Sequence, residues 1–253
     1  MLEALRDYYR TLFRAWGRQH WWPAETPFEV IAGAYLTQNT AWTNVEQALA
    51  NLRAAGKLSV AGIRSLAPEE LEQLIRPAGY FRQKAISLKT FIEFLHRHYG
   101  GSLHLMFGQP TAKLRTELLA LRGVGPETAD SILLYAGSHP VFVVDTYTRR
   151  ILERHQLLPA LAKYEDIRDL FEQALSLPEF VAECRKAEAE PQARLPKGSC
   201  HDPSAVSTGQ RTALAQMYSE MHGLIVGVGK NYCAKSKPRC EACPLRGFLP
   251  ANP

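Results

Sequence analysis

The sequence predicts an all-α protein, and three observations carry that prediction. Apolar residues recur at helical rather than alternating spacing over most of the 253 residues. Capping residues, glycines and prolines punctuate the chain where helix ends require them. Only VFVVD, ending at Asp145, has the composition of a strand, and it stands alone. The length allows one large domain or two small ones. That is enough chain to bury real cores without disulfide staples.

Residues 1–16 read as an amphipathic helix, with no basic-then-apolar leader at the start. Residues 27–37 are apolar enough for a buried helix, and Gln38-Asn39-Thr40 ends it with turn formers. Thr43 and Glu46 have capping-box spacing and predict a helix to about Ala55, closed by Gly56. Residues 68–75 form a short helix, and residues 81–99 a long one ended by Gly100-Gly101. Residues 111–121 carry leucines near helical spacing, residues 122–126 turn tightly, and residues 127–136 are helical again. Helices over 146–155 and 165–177 follow. Residues 185–210 are rich in Pro, Gly, Ser, Lys and Ala and are expected to be a mobile loop. A last helix from Arg211 to about Gly229 runs into a cysteine-rich segment.

Thirty Lys+Arg against 25 Asp+Glu give a net charge of +5, and the pI is near 9.0. This balance mildly favours a polyanionic partner. Charged residues interrupt every apolar run before the ~18 residues a membrane span needs, so no membrane partner is expected. The expected location is cytoplasmic, associated with the nucleoid.

The five cysteines are an odd number, which argues against a closed disulfide framework. Cys233, Cys240 and Cys243 form Cys-x6-Cys-x2-Cys, a crowding typical of a metal or iron–sulfur site. Zinc is the competing metal, and three unrelated buried thiols would also give this spacing. Leu249 stands where a fourth, nearby cysteine would be expected. Cys200 is the preferred fourth ligand, because the expected loop could carry it to the others, and Cys184 is second.

In LRGVGPETA, Gly123 and Gly125 allow a sharp turn and close approach of a partner. The free N–H groups at the next helix start would suit one DNA phosphate. A plain helix–turn–helix connection is the alternative. A dinucleotide fingerprint fails, because a helix rather than a strand precedes the glycines and Thr128 occupies the third glycine position.

The LRGVGPETA turn, the apolar VFVVDT segment and the cysteine triplet together resemble the endonuclease III superfamily of DNA glycosylases. The resemblance covers about residues 28–243. It implies two helical domains with a helix-hairpin-helix motif and an iron–sulfur cluster segment. The first would be a six-helix domain over 27–137, and the second would join 1–26 to 138–253 and hold a [4Fe-4S] cluster. The hairpin residues Gly123, Val124, Gly125 and Thr128 would grip double-stranded DNA containing a damaged base. The cleft between the domains would take the flipped base, and the protein would act as a monomer.

Asp145 is the expected catalytic residue. Breaking a glycosidic bond builds oxocarbenium character on the sugar, which a carboxylate stabilises. Asp is equally a common N-cap, and a helix starts just after it. Members that also cut the strand carry a hairpin lysine where this chain has Glu127. A carboxylate cannot form an imine, so AP-lyase chemistry is not expected there.

HWWP around Trp22, LTQNTAW around Gln38 and GYFRQKA around Lys84 resemble the 3-methyladenine glycosylase branch. By position Trp22, Pro23 and Trp42 would sandwich the base, with Glu127 beside it. Indole faces hold a cationic alkylated purine at roughly 0.5–2 kcal/mol per contact. Core packing is the alternative for each tryptophan. Gln38 would fill the gap left by the flipped base at the minor-groove edge, or serve only as a turn residue. Lys235, Lys237 and Arg239 would present cations to phosphates, unless they merely solubilise the loop.

The expected function is a monofunctional, alkylpurine-directed DNA N-glycosylase of base excision repair. The alternatives are an endonuclease III acting on oxidised pyrimidines with weak lyase activity, or a cluster-bearing DNA-binding protein that has lost catalysis.

Overall fold

The computed structural model describes residues 1–189 and 201–250. Among them the secondary structure is helical, with no strand. The helices are α1 Leu2–Trp16, α2 Pro27–Leu36, α3 Trp42–Ala54, α4 Val60–Ser65, α5 Pro68–Leu74, α6 Phe81–Tyr99 and α7 Leu103–Phe107. They continue with α8 Thr111–Leu119, α9 Pro126–Ser131, α10 Thr146–Arg154, α11 Tyr164–Leu175, α12 Pro178–Ala189 and α13 Ala213–Asn231. A π turn, Ile132–Ala136, prolongs α9. No described helix is long and apolar enough to cross a membrane.

The chain divides into two compact units, one of Met1–Pro23 with Pro140–Pro253 and one of Ala24–His139. In the first, α1 packs on α11 and α13, and α10 crosses α13. That crossing is close because α13 offers Gly229, where a Cβ would meet the Tyr147 ring at 2.2 Å. Tyr8 in α1 and His155 at the end of α10 share a buried hydrogen bond of 2.6 Å.

VFVVD is not a strand. It is an extended connector whose side chains pack into the core on more than one side. Phe142 stacks on Phe171 with ring centroids 4.2 Å apart, and Val143 is fully buried. Burial on all sides selects the same β-branched and aromatic residues that a central strand does.

The second unit is built around α2, in which Val30, Ile31, Ala32, Tyr35 and Leu36 are buried. Its N-cap is Thr26, whose side chain accepts from the Glu29 N–H at 3.1 Å. The Thr43–Glu46 capping box does not form. Helix α3 starts two residues earlier, at Trp42, with Ala41 as N-cap. The Glu46 carboxylate instead accepts the Trp42 indole N–H at 2.8 Å.

The expected mobile loop over 185–210 is corrected at 185–189, and residues 190–200 lie outside the described residues. Residues 185–189 finish α12, whose Phe180 and Cys184 form a buried stripe one helical turn apart. Ala and Glu give this segment its helix propensity despite its biased composition. Residues 201–210 turn on internal bonds, including Ser204 N–H to Ser207 Oγ at 2.9 Å and Thr208 N–H to Ser204 O at 3.0 Å. Cys200 lies outside the described residues.

Candidate active site

The buried 141–144 connector delivers Asp145 to the N-cap of α10. Asp145 is only 8 % exposed. Its Oδ1 accepts both the Thr148 N–H at 2.7 Å and the Thr148 hydroxyl at 2.8 Å. The capping and catalytic readings are therefore compatible, because the cap uses one carboxylate oxygen. The other, Oδ2, faces the His222 imidazole, with Nε2 at 3.7 Å.

His222 sits on α13 and is also buried. Burial pushes its pKa below the ordinary histidine value, and the Asp145 charge pulls the other way. Around it stand the rings of Trp21 at 6.2 Å and Phe142 at 6.4 Å, both edge-on. Gly223 lets the Trp21 segment come this near, since a Cβ there would lie 3.1 Å from the Trp21 Cβ. Trp21 also meets the His201 ring at 4.9 Å and carries the Lys230 ammonium 5.2 Å from its centroid. Its indole nitrogen is buried and has no hydrogen-bond partner among the described residues. Trp22 is only 5 % exposed, and Pro23 is half-buried. Trp21, adjacent to the Trp22 that sequence similarity selects, thus borders His222.

In the second unit the hairpin runs from α8 to α9. Gly123 takes φ 80°, and a Cβ there would lie 2.5 Å from the Ser87 hydroxyl. Gly125 is the N-cap of α9 with open space around it. Val124 is buried beneath the turn, and its N–H bonds to Leu121 O at 3.2 Å. A two-pronged ion pair braces the hairpin, with Arg115 donating to the fully buried Asp130 at 2.6 and 3.1 Å.

Gln38 reaches the hairpin too, donating to Gly123 O at 2.8 Å and Thr128 Oγ1 at 2.9 Å. Gln38, Gly123, Arg122 and the exposed Tyr80 line one open cavity. Lys84 lies beneath it, 4 % exposed. Its ammonium donates to Leu36 O at 2.8 Å, Thr40 Oγ1 at 2.7 Å and Ala78 O at 2.8 Å. Burial pushes its pKa down to about 8. Glu127 is exposed on α9, and Trp42 is half-buried at the start of α3. Trp42 and Glu127 therefore belong to the second unit, whereas Trp22 and Pro23 belong to the first.

Cys233, Cys240 and Cys243 line one small cavity together with Leu249. The Arg154 guanidinium donates to Cys233 Sγ at 3.2 Å and to Ala234 O at 2.8 Å. Burial, and then the nearby Cys233 and Cys240 sulfurs, push the Cys243 thiol up. Among the described residues no three His, Cys, Asp or Glu side chains are placed to hold a metal ion as they stand. Cys184 is buried on α12. Arg239 braces the segment by donating to Asn231 O at 2.9 Å, whereas Lys235 and Lys237 are exposed.

Sequence reasoning missed Trp21, His222, Tyr80 and the role of Lys84. Trp21 had a signal, since it lies within HWWP. His222 had none, because its partner is distant in the chain.

Comparison with known proteins adds an independent line. Residues 32–176 match the family described as HhH-GPD superfamily base excision DNA repair protein. "Putative DNA repair glycosylase MJ1434" of Methanocaldococcus jannaschii is 38% identical over 247 residues, covering 97% of this chain and 96% of that protein. The H. pylori 3-methyladenine DNA glycosylase MagIII, solved bound to 1,N6-ethenoadenine, superposes with a TM-score of 0.66 at 28% identity. That match covers 90% of this chain and 95% of MagIII. A trapped endonuclease III–DNA covalent intermediate shares the fold, with a TM-score of 0.68 at 20% identity over 98% and 92% of the two chains.

Proposed function

The chain belongs to the HhH-GPD superfamily of base excision DNA repair proteins, as an enzyme of the endonuclease III-like DNA glycosylase type, and on that premise we propose that it is monofunctional and releases alkylated purines from double-stranded DNA. The observation that carries this reading is Asp145. One of its oxygens is fixed by the α10 cap and the other is left for chemistry. The C1′–N bond breaks with both electrons leaving on the base. The carboxylate stabilises the developing sugar cation and orients the water whose oxygen bonds to C1′ as one of its protons passes to the carboxylate. An N-alkylated purine is already cationic and leaves with little acid assistance.

Three features support the substrate class and the absence of strand cleavage. Indoles crowd residues 21–22, and a third stands at Trp42. MagIII, a 3-methyladenine glycosylase, is the solved relative at 28% identity. Glu127 stands in the hairpin where an imine-forming amine would be needed, and the buried Lys84 spends its ammonium on three oxygen acceptors. The hairpin at Gly123 and Gly125 would contact the DNA backbone, with Gln38 attached to it.

The chemistry of the cysteine segment fits a [4Fe-4S] cluster at three corners. Cys233, Cys240 and Cys243 share one cavity, and Arg154 offers a counter-charge to the thiolates. Leu249 cannot ligate, so the fourth corner would fall to Cys200, outside the described residues, or to Cys184. Such a cluster would brace the loop that presents Lys235 and Lys237, and no step of base release passes through it.

The test is incubation of the purified protein with duplexes carrying 3-methyladenine, thymine glycol or an abasic site, scoring base release and strand cleavage separately. Release of 3-methyladenine without cleavage, and no borohydride-trapped protein–DNA adduct, is expected. Release of thymine glycol with efficient trapping would transfer the assignment to an endonuclease III acting on oxidised pyrimidines.

A further inference from the structure

The carboxylate assigned to catalysis shares its buried site with one titratable side chain that the reaction outlined above does not use. His222 Nε2 lies 3.7 Å from Asp145 Oδ2, the oxygen not engaged by the helix cap. This is longer than a hydrogen bond, so the interaction is electrostatic. Both side chains are largely excluded from water, at 6 % and 11 % exposure, where a charge carries further than at a surface.

Aromatic rings flank this pair. From the connector before α10, Phe142 presents a ring edge, and from the N-terminal segment Trp21 does the same. His201 and Lys230 reach the Trp21 ring. On α13 itself Glu220 is turned to the Gln19 N–H at 2.7 Å and to the Gln216 amide at 2.8 Å. From α11, Glu172 accepts the Phe142 N–H at 2.9 Å. The Asp145 charge bears on the imidazole and favours its protonated form.

We propose that His222 is a positioning residue for Asp145, holding Oδ2 toward the reacting sugar while the imidazole is neutral and withdrawing it when the imidazole is protonated. The proposal rests on the glycosylase reading of Asp145. A neutral imidazole offers Oδ2 a dipole that fixes its direction without cancelling its charge. An imidazolium would pair with the same oxygen and neutralise the charge that the sugar cation requires. Burial favours the neutral form at ordinary pH, so the competent state is the resting one. Activity should therefore have an acid edge set by His222.

The experiment has two arms. The first measures single-turnover base release from a 3-methyladenine duplex across about pH 4–8, reaching below the ordinary histidine range because burial lowers the His222 pKa. His222→Leu should lower the rate about tenfold at neutral pH, equivalent to about 1.4 kcal/mol in the barrier, with DNA affinity unchanged. His222→Gln keeps an amide N–H near the Nε2 position but does not titrate. It should restore most of the rate and abolish the acid edge. The second arm needs no substrate. The His222 ring resonance is titrated by NMR in the unaltered protein and in Asp145→Asn, where its pKa should fall because the opposing charge is gone. Unchanged rates and pH profiles in both His222 variants, or identical titrations with and without the carboxylate, would overturn the proposal. If the unaltered protein released no base from any duplex, the glycosylase reading would fall and the titration would decide the pairing by itself.

Discussion

Asp145→Asn separates two jobs that one side chain performs. The Asn Oδ1 can accept the same bonds that Asp145 Oδ1 takes from the Thr148 N–H at 2.7 Å and hydroxyl at 2.8 Å. Asn is as good an N-cap as Asp, so thermal stability should change by less than about 1 kcal/mol. Asp145→Ala removes the cap and leaves the buried Thr148 hydroxyl without its acceptor. It should cost about 1–2 kcal/mol, at the upper end of the capping range. Catalysis should respond in a different order. A carboxylate about 4 Å from a sugar cation, at an effective dielectric of about 20, contributes about 4 kcal/mol. Each 1.36 kcal/mol is tenfold, so both variants should lose roughly 10³-fold in base release. DNA affinity should hold or rise, because the charge stabilises the transition state rather than gripping the duplex. The assays are single-turnover release from an alkylpurine duplex, equilibrium DNA binding and thermal unfolding. Near-normal release by Asp145→Asn would remove this carboxylate from the mechanism. An equal loss of stability in the two variants would show that the amide does not keep the cap.

Three further predictions follow from the geometry. Lys84→Met leaves Leu36 O and Ala78 O without the ammonium that reaches them. It should cost about 3 kcal/mol in urea unfolding, and a loss below about 1 kcal/mol would contradict the role. Burial lowers the Lys84 pKa from 10.5 to about 8. Between those values the unfolded chain binds the extra proton, so stability should rise with pH there in the unaltered protein and not in Lys84→Met. A flat profile in both would mean that the three acceptors keep the ammonium charged. Gly125→Ala enters open space at an ordinary φ of −96° and should leave stability intact. If a phosphate lies against Gly125, it should weaken binding to every sequence alike and lower the salt slope by about one contact. Gly123→Ala, at φ 80° and 2.5 Å from the Ser87 hydroxyl, should also cost about 1–2 kcal/mol of stability. Protein purified without oxygen should be brown, with about four irons per chain. Leu249→Cys should slow loss of colour in air, and colourless protein holding one zinc would refute the cluster.

The helical class, most helix positions, the hairpin glycines, the aspartate after the apolar segment and the cysteine triplet are all legible in the amino-acid sequence. These are local properties. A 3.6-residue period, a Gly forced to positive φ and a Cys-x2-Cys spacing are written within a few residues of one another. Where local signals conflict, packing selects between them. VFVVD reads as a strand because burial on all sides selects the same residues, and only the absence of a pairing partner among the described residues makes it a connector. The Thr43–Glu46 spacing promised a cap, but Glu46 found the Trp42 indole instead. The biased composition that begins at residue 185 reads as loop, and the helix that carries the buried Phe180 and Cys184 runs on through residues 185–189. The pairing of Asp145 with His222, the three acceptors around Lys84 and the attachment of Gln38 to the hairpin join residues far apart in the chain. No local pattern encodes such contacts, because they exist only once the helices that carry them have packed.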